Sequence, residues 1–245
     1  MKAIRLSTVG AISAIGLVVC FVLGAVAMGT SGVSVLIPET GKEGLDWIAD
    51  VDQAGALFYV GAWLIILMGF LGIVALVGFY DALRDAGPIM ILAPVLAVVG
   101  LTLVTVSHLI PIAMGYELVP AYAAADAAGK ATLAATADTL ASIALVTNSA
   151  GNFLGWGIVL PMYSVAILTT RALPRWIGWL GLLVGLLAGW LGMLSPVSDV
   201  FGGISTIGFL GFFVFMLSMG IALLIRRRRA ELGGVRGMPA ATAGT

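Results

Sequence analysis

Two asparagines and one histidine are the residues of this chain best placed to do chemistry. Asn148 and Asn152 stand four apart in the apolar run 139–170, so on a helix they share one face. A carboxamide in a bilayer needs a partner and turns toward the bundle interior. Two readings stand for this pair: a polar pocket or pathway element, or interhelical hydrogen bonds that set packing. His108, the single histidine, falls in the last turn of the run 89–110 beside Ser107. Its ring is placed to meet Asn148, or a carboxylate at the end of a neighbouring run: Asp52, Asp138 or Asp199. Histidine titrates near neutral pH, and an ionisable residue at membrane depth marks a candidate site. The plainer role is an interfacial ring bonded to a backbone carbonyl or to water.

Other chemistry is excluded by counting. One histidine rules out a bis-histidine haem and a multi-histidine metal centre. One cysteine, Cys20, rules out an intramolecular disulfide and a CxxC motif. No HExxH, P-loop or nucleophile-elbow signature with a suitable histidine is present. Ser205 has His108 as a conceivable base, but its surroundings lack the Gly-x-Ser-Gly setting of a rhomboid-like protease. No catalytic residue, metal or cofactor is therefore expected.

The elements that must position these residues follow from composition. Hydrophobic residues are 61% of 245 and charged residues 10%, against roughly half and a quarter in soluble domains. Such a chain is solvated largely by lipid. Apolar runs at about 8–29, 55–80, 89–110, 139–170, 176–194 and 204–225 predict six transmembrane helices within residues 1–229. The fold class is all-α, a polytopic membrane helical bundle. Segments 30–54 and 113–138 are too polar to span and form an external cap, with Trp47 and Ile48 lying on the membrane surface. Residues 230–245 read as a disordered cytoplasmic tail. Ala25-Val26-Ala27 offers a small-x-small cleavage pattern, but the run before it exceeds a usual signal-peptide core. Pro161 is expected to kink the fourth run.

Charge orients the bundle. With both termini cytoplasmic, ten of the twelve basic residues fall inside, only Lys42 and Lys130 outside, as the positive-inside rule requires. Arg171, Arg175, Trp176 and Trp179 anchor the turn before the fifth run at the membrane interface. Arg226, Arg227, Arg228 and Arg229 stop the sixth. Nine of the twelve acids then face outward.

Gly181, Gly185 and Gly189 recur every four residues on the fifth run, and Gly151 and Gly155 do so on the fourth. Such faces let helices approach closely, within the bundle or across a dimer seam.

The Leu173-Pro174-Arg175-Trp176-Ile177-Gly178-Trp179-Leu180-Gly181 turn, the six-run layout and the basic stop resemble the DUF4386-type bacterial integral membrane proteins. That resemblance implies a helical bundle in a bacterial plasma (inner) membrane and carries over no site residue. Three functions stay open. The first is a non-enzymatic accessory or structural membrane component. The second is a small-solute or ion carrier or channel with a polar outer-leaflet pocket. The third is an integral membrane enzyme acting on lipid. Expected partners are membrane lipids and a second copy or another membrane protein. With zero formal charge, nucleic acid has no overall electrostatic support.

Overall fold

The computed structural model describes residues 5–34, 44–195 and 198–236, and among these it is helical with no strand. In chain order the helices are α1 (Leu6–Ser31), α2 (Gly44–Ala54), α3 (Ala56–Leu83), α4 (Leu92–Ala124), α5 (Ala127–Asn152), α6 (Leu160–Thr170), α7 (Arg175–Val184) and α8 (Asp199–Arg236). A π-helical segment, Phe153–Val159, joins α5 to α6, and a second, Gly185–Leu191, continues α7. Six stretches are long and apolar enough to cross a membrane: Leu6–Ser31, Ala56–Ala86, Pro88–Ala124, Ala127–Thr170, Arg175–Leu194 and Asp199–Leu232. Each overlaps one predicted run. Successive spans pack antiparallel. One face of the bundle carries Arg5, the 84–88 and 171–175 turns and the end of α8. The other, the cap face, carries α2, the turns at 32–34 and 125–126, and Ser195 and Ser198.

The helix ends show why the chain turns where it does. Asp81 Oδ2 accepts the Ser7 amide at 3.1 Å, meeting a first-turn donor that α1 cannot satisfy itself. Gly32, at φ 72°, closes α1 in the left-handed conformation, its N–H donating to Met28 O at 3.0 Å. Asp126 caps α5 by accepting the Gly129 amide at 2.8 Å.

The arginine–tryptophan turn has a physical account. Leu173 and Ile177 enter the core, while Trp176 and Trp179 are 55% and 60% exposed beside exposed Arg171 and Arg175. Gly178 and Gly181 turn inward, where added Cβ atoms would lie 2.7 Å from Leu168 Cγ and from the Phe215 ring. One short stretch therefore combines an exposed arginine–tryptophan face with close helix approach. At the same face Arg227 donates to Thr8 Oγ1 and to Glu231 Oε1, each at 2.9 Å, tying α8 to α1.

Several expectations are corrected. Trp47 and Ile48 do not lie on the membrane surface. They are 0% and 1% exposed, packed with Val51, Phe58, Ile112, Met114 and Leu118 in a small core under the cap face. Trp47 Nε1 also donates to Ser34 O at 3.1 Å, so the amphipathic α2 spends its apolar side on protein. The 113–138 segment is not a separate cap. α4 runs on through Pro111 and Pro120 to Ala124, and α5 starts at Ala127, so the two spans project as one hairpin. Prolines are tolerated in membrane helices where neighbours hold the chain. Of the 30–54 segment, residues 35–43 lie outside the described residues. Of the tail, α8 carries 230–236 as helix, and 237–245 lie outside them.

Ahead of Pro161 the chain adopts the first π segment. Proline cannot donate to Gly157 O, four residues earlier. Trp190 Nε1, from the second π segment, donates to that carbonyl at 3.0 Å, and its ring meets Phe153 edge-on at 5.1 Å. Trp190→Phe keeps an aromatic ring against Phe153 and removes the indole donor. It is expected to cost about 1 kcal/mol, read as a lower thermal midpoint of the detergent-solubilised protein. An unchanged midpoint would show that the carbonyl needs no indole.

Candidate functional site

A cavity of ≈ 910 Å³ lies among α1, α3, α4, α5, the first π segment and α8. Its lining is a set of helix faces. Leu17, Phe21, Ala25 and Met28 come from α1, and Leu101, Val104 and His108 from α4. Asn148, Asn152 and Trp156 stand on one line of the fourth span, and Ser205, Phe209 and Phe212 on one line of α8. These are the three- and four-residue steps that place side chains one above another.

The helix directions impose a gradient. Ser34, Ser195, Gly202 and Ser205 lie toward the cap face, with His108 and Asn148 on the cap side of Val104 and Trp156. Deeper, the lining is Leu17, Phe21, Met68, Leu101, Trp156, Phe209 and Phe212. The aromatic floor is packed on itself. Phe21 stacks on Phe213 at 3.7 Å, and Trp156 lies 5.4 Å from Phe209 and 5.7 Å from Phe212.

Of the site residues expected from sequence, His108, Asn148 and Asn152 are brought together in this lining. His108 Nδ1 is 2.6 Å from Val104 O and 3.3 Å from Ser107 Oγ. The Ser107 hydroxyl is 2.7 Å from Val104 O and 3.3 Å from Asn148 Oδ1, and can donate to one at a time. When the hydroxyl turns to Asn148 it links α5 to α4. Asn152, one turn deeper, has no side-chain hydrogen bond among the described residues, and neither have His108 Nε2 and the Ser205 hydroxyl. Ser205 and His108 share the cavity, but no hydrogen bond joins them.

The three aspartates are not in the lining. Asp138 Oδ1 accepts the Gly44 amide at 2.8 Å and so caps α2. Asp52 lies exposed on α2. Asp199 sits in the first turn of α8, where a carboxylate favours the helix dipole. Among the described residues no group of three or more His, Cys, Asp or Glu is placed to hold a metal ion.

The glycine faces serve packing within the chain. An added Cβ would lie 2.9 Å from Val104 N at Gly151, 2.7 Å from Phe215 at Gly181 and 2.7 Å from Pro161 at Gly185, and at Gly189 it would strike the Gly157 backbone. Gly155 departs from this, since a Cβ there meets nothing within 4 Å. Sequence reasoning missed the aromatic floor, Ser34, Ser195 and the cavity face of α8. The Ser205, Phe209, Phe212 spacing was the one available signal for that last face.

Neither a curated protein nor a solved structure matches the chain. One family model does, over residues 12–226, its description being "Domain of unknown function (DUF4386)". That match takes in the four middle spans, most of the first and last, and every polar residue of the cavity, and by it the chain belongs to the DUF4386 family.

Proposed function

We propose that this protein binds a small amphipathic molecule in its cavity and works by binding rather than by catalysis. One observation carries the reading. Asn152, His108 Nε2 and the Ser205 hydroxyl face a space within the span region and have no partner among the described residues. Unpaired polar groups at that depth cost several kcal/mol unless water or a ligand meets them. A purely structural or accessory role makes no use of them. The size of the space and its mostly apolar lining with few polar groups fit small-molecule sites in general. Among the described lining residues there is no carboxylate to couple an ion, so binding is favoured over ion transport.

The setting we propose is a bacterial plasma membrane with both termini cytoplasmic. The basic residues of one face support this, since Arg5, Arg84, Arg171, Arg175 and Arg226 to Arg229 all lie there. The cavity's polar half then faces the outer leaflet, whose lipids are the nearest source of ligand.

The two asparagines test the reading. Asn148→Leu removes a bridge between spans and should cost about 1 kcal/mol of stability. Asn152→Leu should leave the thermal midpoint unchanged and lower the amount of co-purifying small molecule several-fold, measured by native mass spectrometry. If Asn152→Leu melted as early as Asn148→Leu with its bound molecules unaltered, Asn152 would be a packing residue and the reading would fail.

A further inference from the structure

Resting on that binding reading, we infer that the ligand's polar end is a neutral hydroxyl on an apolar body, an alcohol or a phenol, which donates a hydrogen bond to His108 Nε2. The other ring nitrogen decides the chemistry. Nδ1 stands 2.6 Å from Val104 O. A carbonyl oxygen only accepts, so at that distance Nδ1 bears the proton. In the neutral ring Nε2 then holds the lone pair. It has no partner among the described residues, and its ring lines the cavity. Whatever completes it must donate. Ether, ester, ketone and carboxylate oxygens cannot.

The rest of the lining selects for the same class. Ser107 approaches only the Asn148 carboxamide oxygen, whereas the Asn152 carboxamide is unengaged throughout and, like the Asn148 NH2, offers N–H donors to an oxygen's lone pairs. A hydroxyl donates once and accepts twice, so it can serve both residues. Below them Leu17, Phe21 and Phe209 offer only apolar and aromatic surface, and Trp156 adds a ring with a single N–H donor. A charged or many-hydroxyl molecule would be stripped of water there without replacement, while an alkyl chain or a ring would not.

The test uses the full chain in detergent and native mass-spectrometric titration. The probes are hexadecanol and its methyl ether, pentadecylphenol and its methyl ether, and palmitate. Hexadecanol and pentadecylphenol separate a chain-borne from a ring-borne hydroxyl. At least one of the two should bind about tenfold more tightly than its own ether, the worth of one hydrogen bond. The preference should vanish in His108→Phe and persist in His108→Gln, whose side-chain oxygen can accept in place of Nε2. Equal binding of alcohol and ether to the unmodified protein would overturn the inference and leave the cavity a general apolar site. So would a preference that survives His108→Phe. Tightest binding of palmitate at about pH 8, where it is ionised, would mean that the ring donates instead, and would overturn it also. If His108→Phe does not fold, the unmodified protein and His108→Gln decide. Binding of no probe, ethers included, would remove the binding reading itself.

Discussion

Gly10→Leu is expected to abolish recovery of a monodisperse protein. α1 and α3 pack along their whole length, and they cross most closely where Gly10 meets Gly78. A Cβ at Gly10 would stand 2.6 Å from Gly78 Cα and 3.0 Å from Ala75 O. Both obstacles are backbone, so no side chain can swing away. The helices must separate, and with them the contacts of α1 to α8. Overpacking of this kind costs about 3 kcal/mol or more, a large part of a typical protein's stability. Size-exclusion chromatography should show aggregate in place of the parent's single peak. The control is Gly203→Leu on α8, where a Cβ meets nothing within 4 Å. That variant should elute as the parent does.

Gly202→Phe is expected to leave the bundle intact and empty the cavity. Gly202 lines the space, lies in α8, and has nothing within 4 Å of an added Cβ. A side chain there meets no backbone, and loss of a helix-interior glycine favours the helix by a few tenths of a kcal/mol. The ring takes up space the ligand needs at the polar end. Binding should fall by about 100-fold, equivalent to roughly 2.7 kcal/mol, with the thermal midpoint unchanged or raised. Its neighbour Gly203→Phe, outside the lining, should bind as the parent does. If the adjacent pair behaved alike, the cavity would not be where binding occurs.

Much of this architecture was legible in sequence because lipid is an unforgiving solvent for charge. Six apolar runs bounded by arginines could be read directly. His108, Asn148 and Asn152 stood out because polar side chains at such depth are scarce, and the bundle does gather them. The expected carboxylates did not join them, since Asp138 is drawn to the α2 terminus and Asp52 and Asp199 stay at the cap face. Helix ends were harder to read. Pro111 and Pro120 would end a helix in water, yet α4 runs through both. The paired π segments have no sequence period of their own. The aromatic floor was hidden for a deeper reason. Lipid-facing and bundle-facing surfaces are equally apolar in a membrane, so Trp156 and Phe209 read no differently from exposed Trp63 and Phe70. The close contact of Gly10 with Gly78 was missed likewise, because each stands outside the four-residue glycine repeats that mark the fourth and fifth spans.

The most direct test of the central claim is native mass spectrometry of the protein ejected from nanodiscs made with the expressing cell's own membrane lipids, compared with Gly202→Phe. The parent is expected to retain one small molecule of defined mass through activation that strips bulk lipid, and Gly202→Phe to carry none. Identical spectra for the two proteins, with no defined mass retained by either, would contradict it.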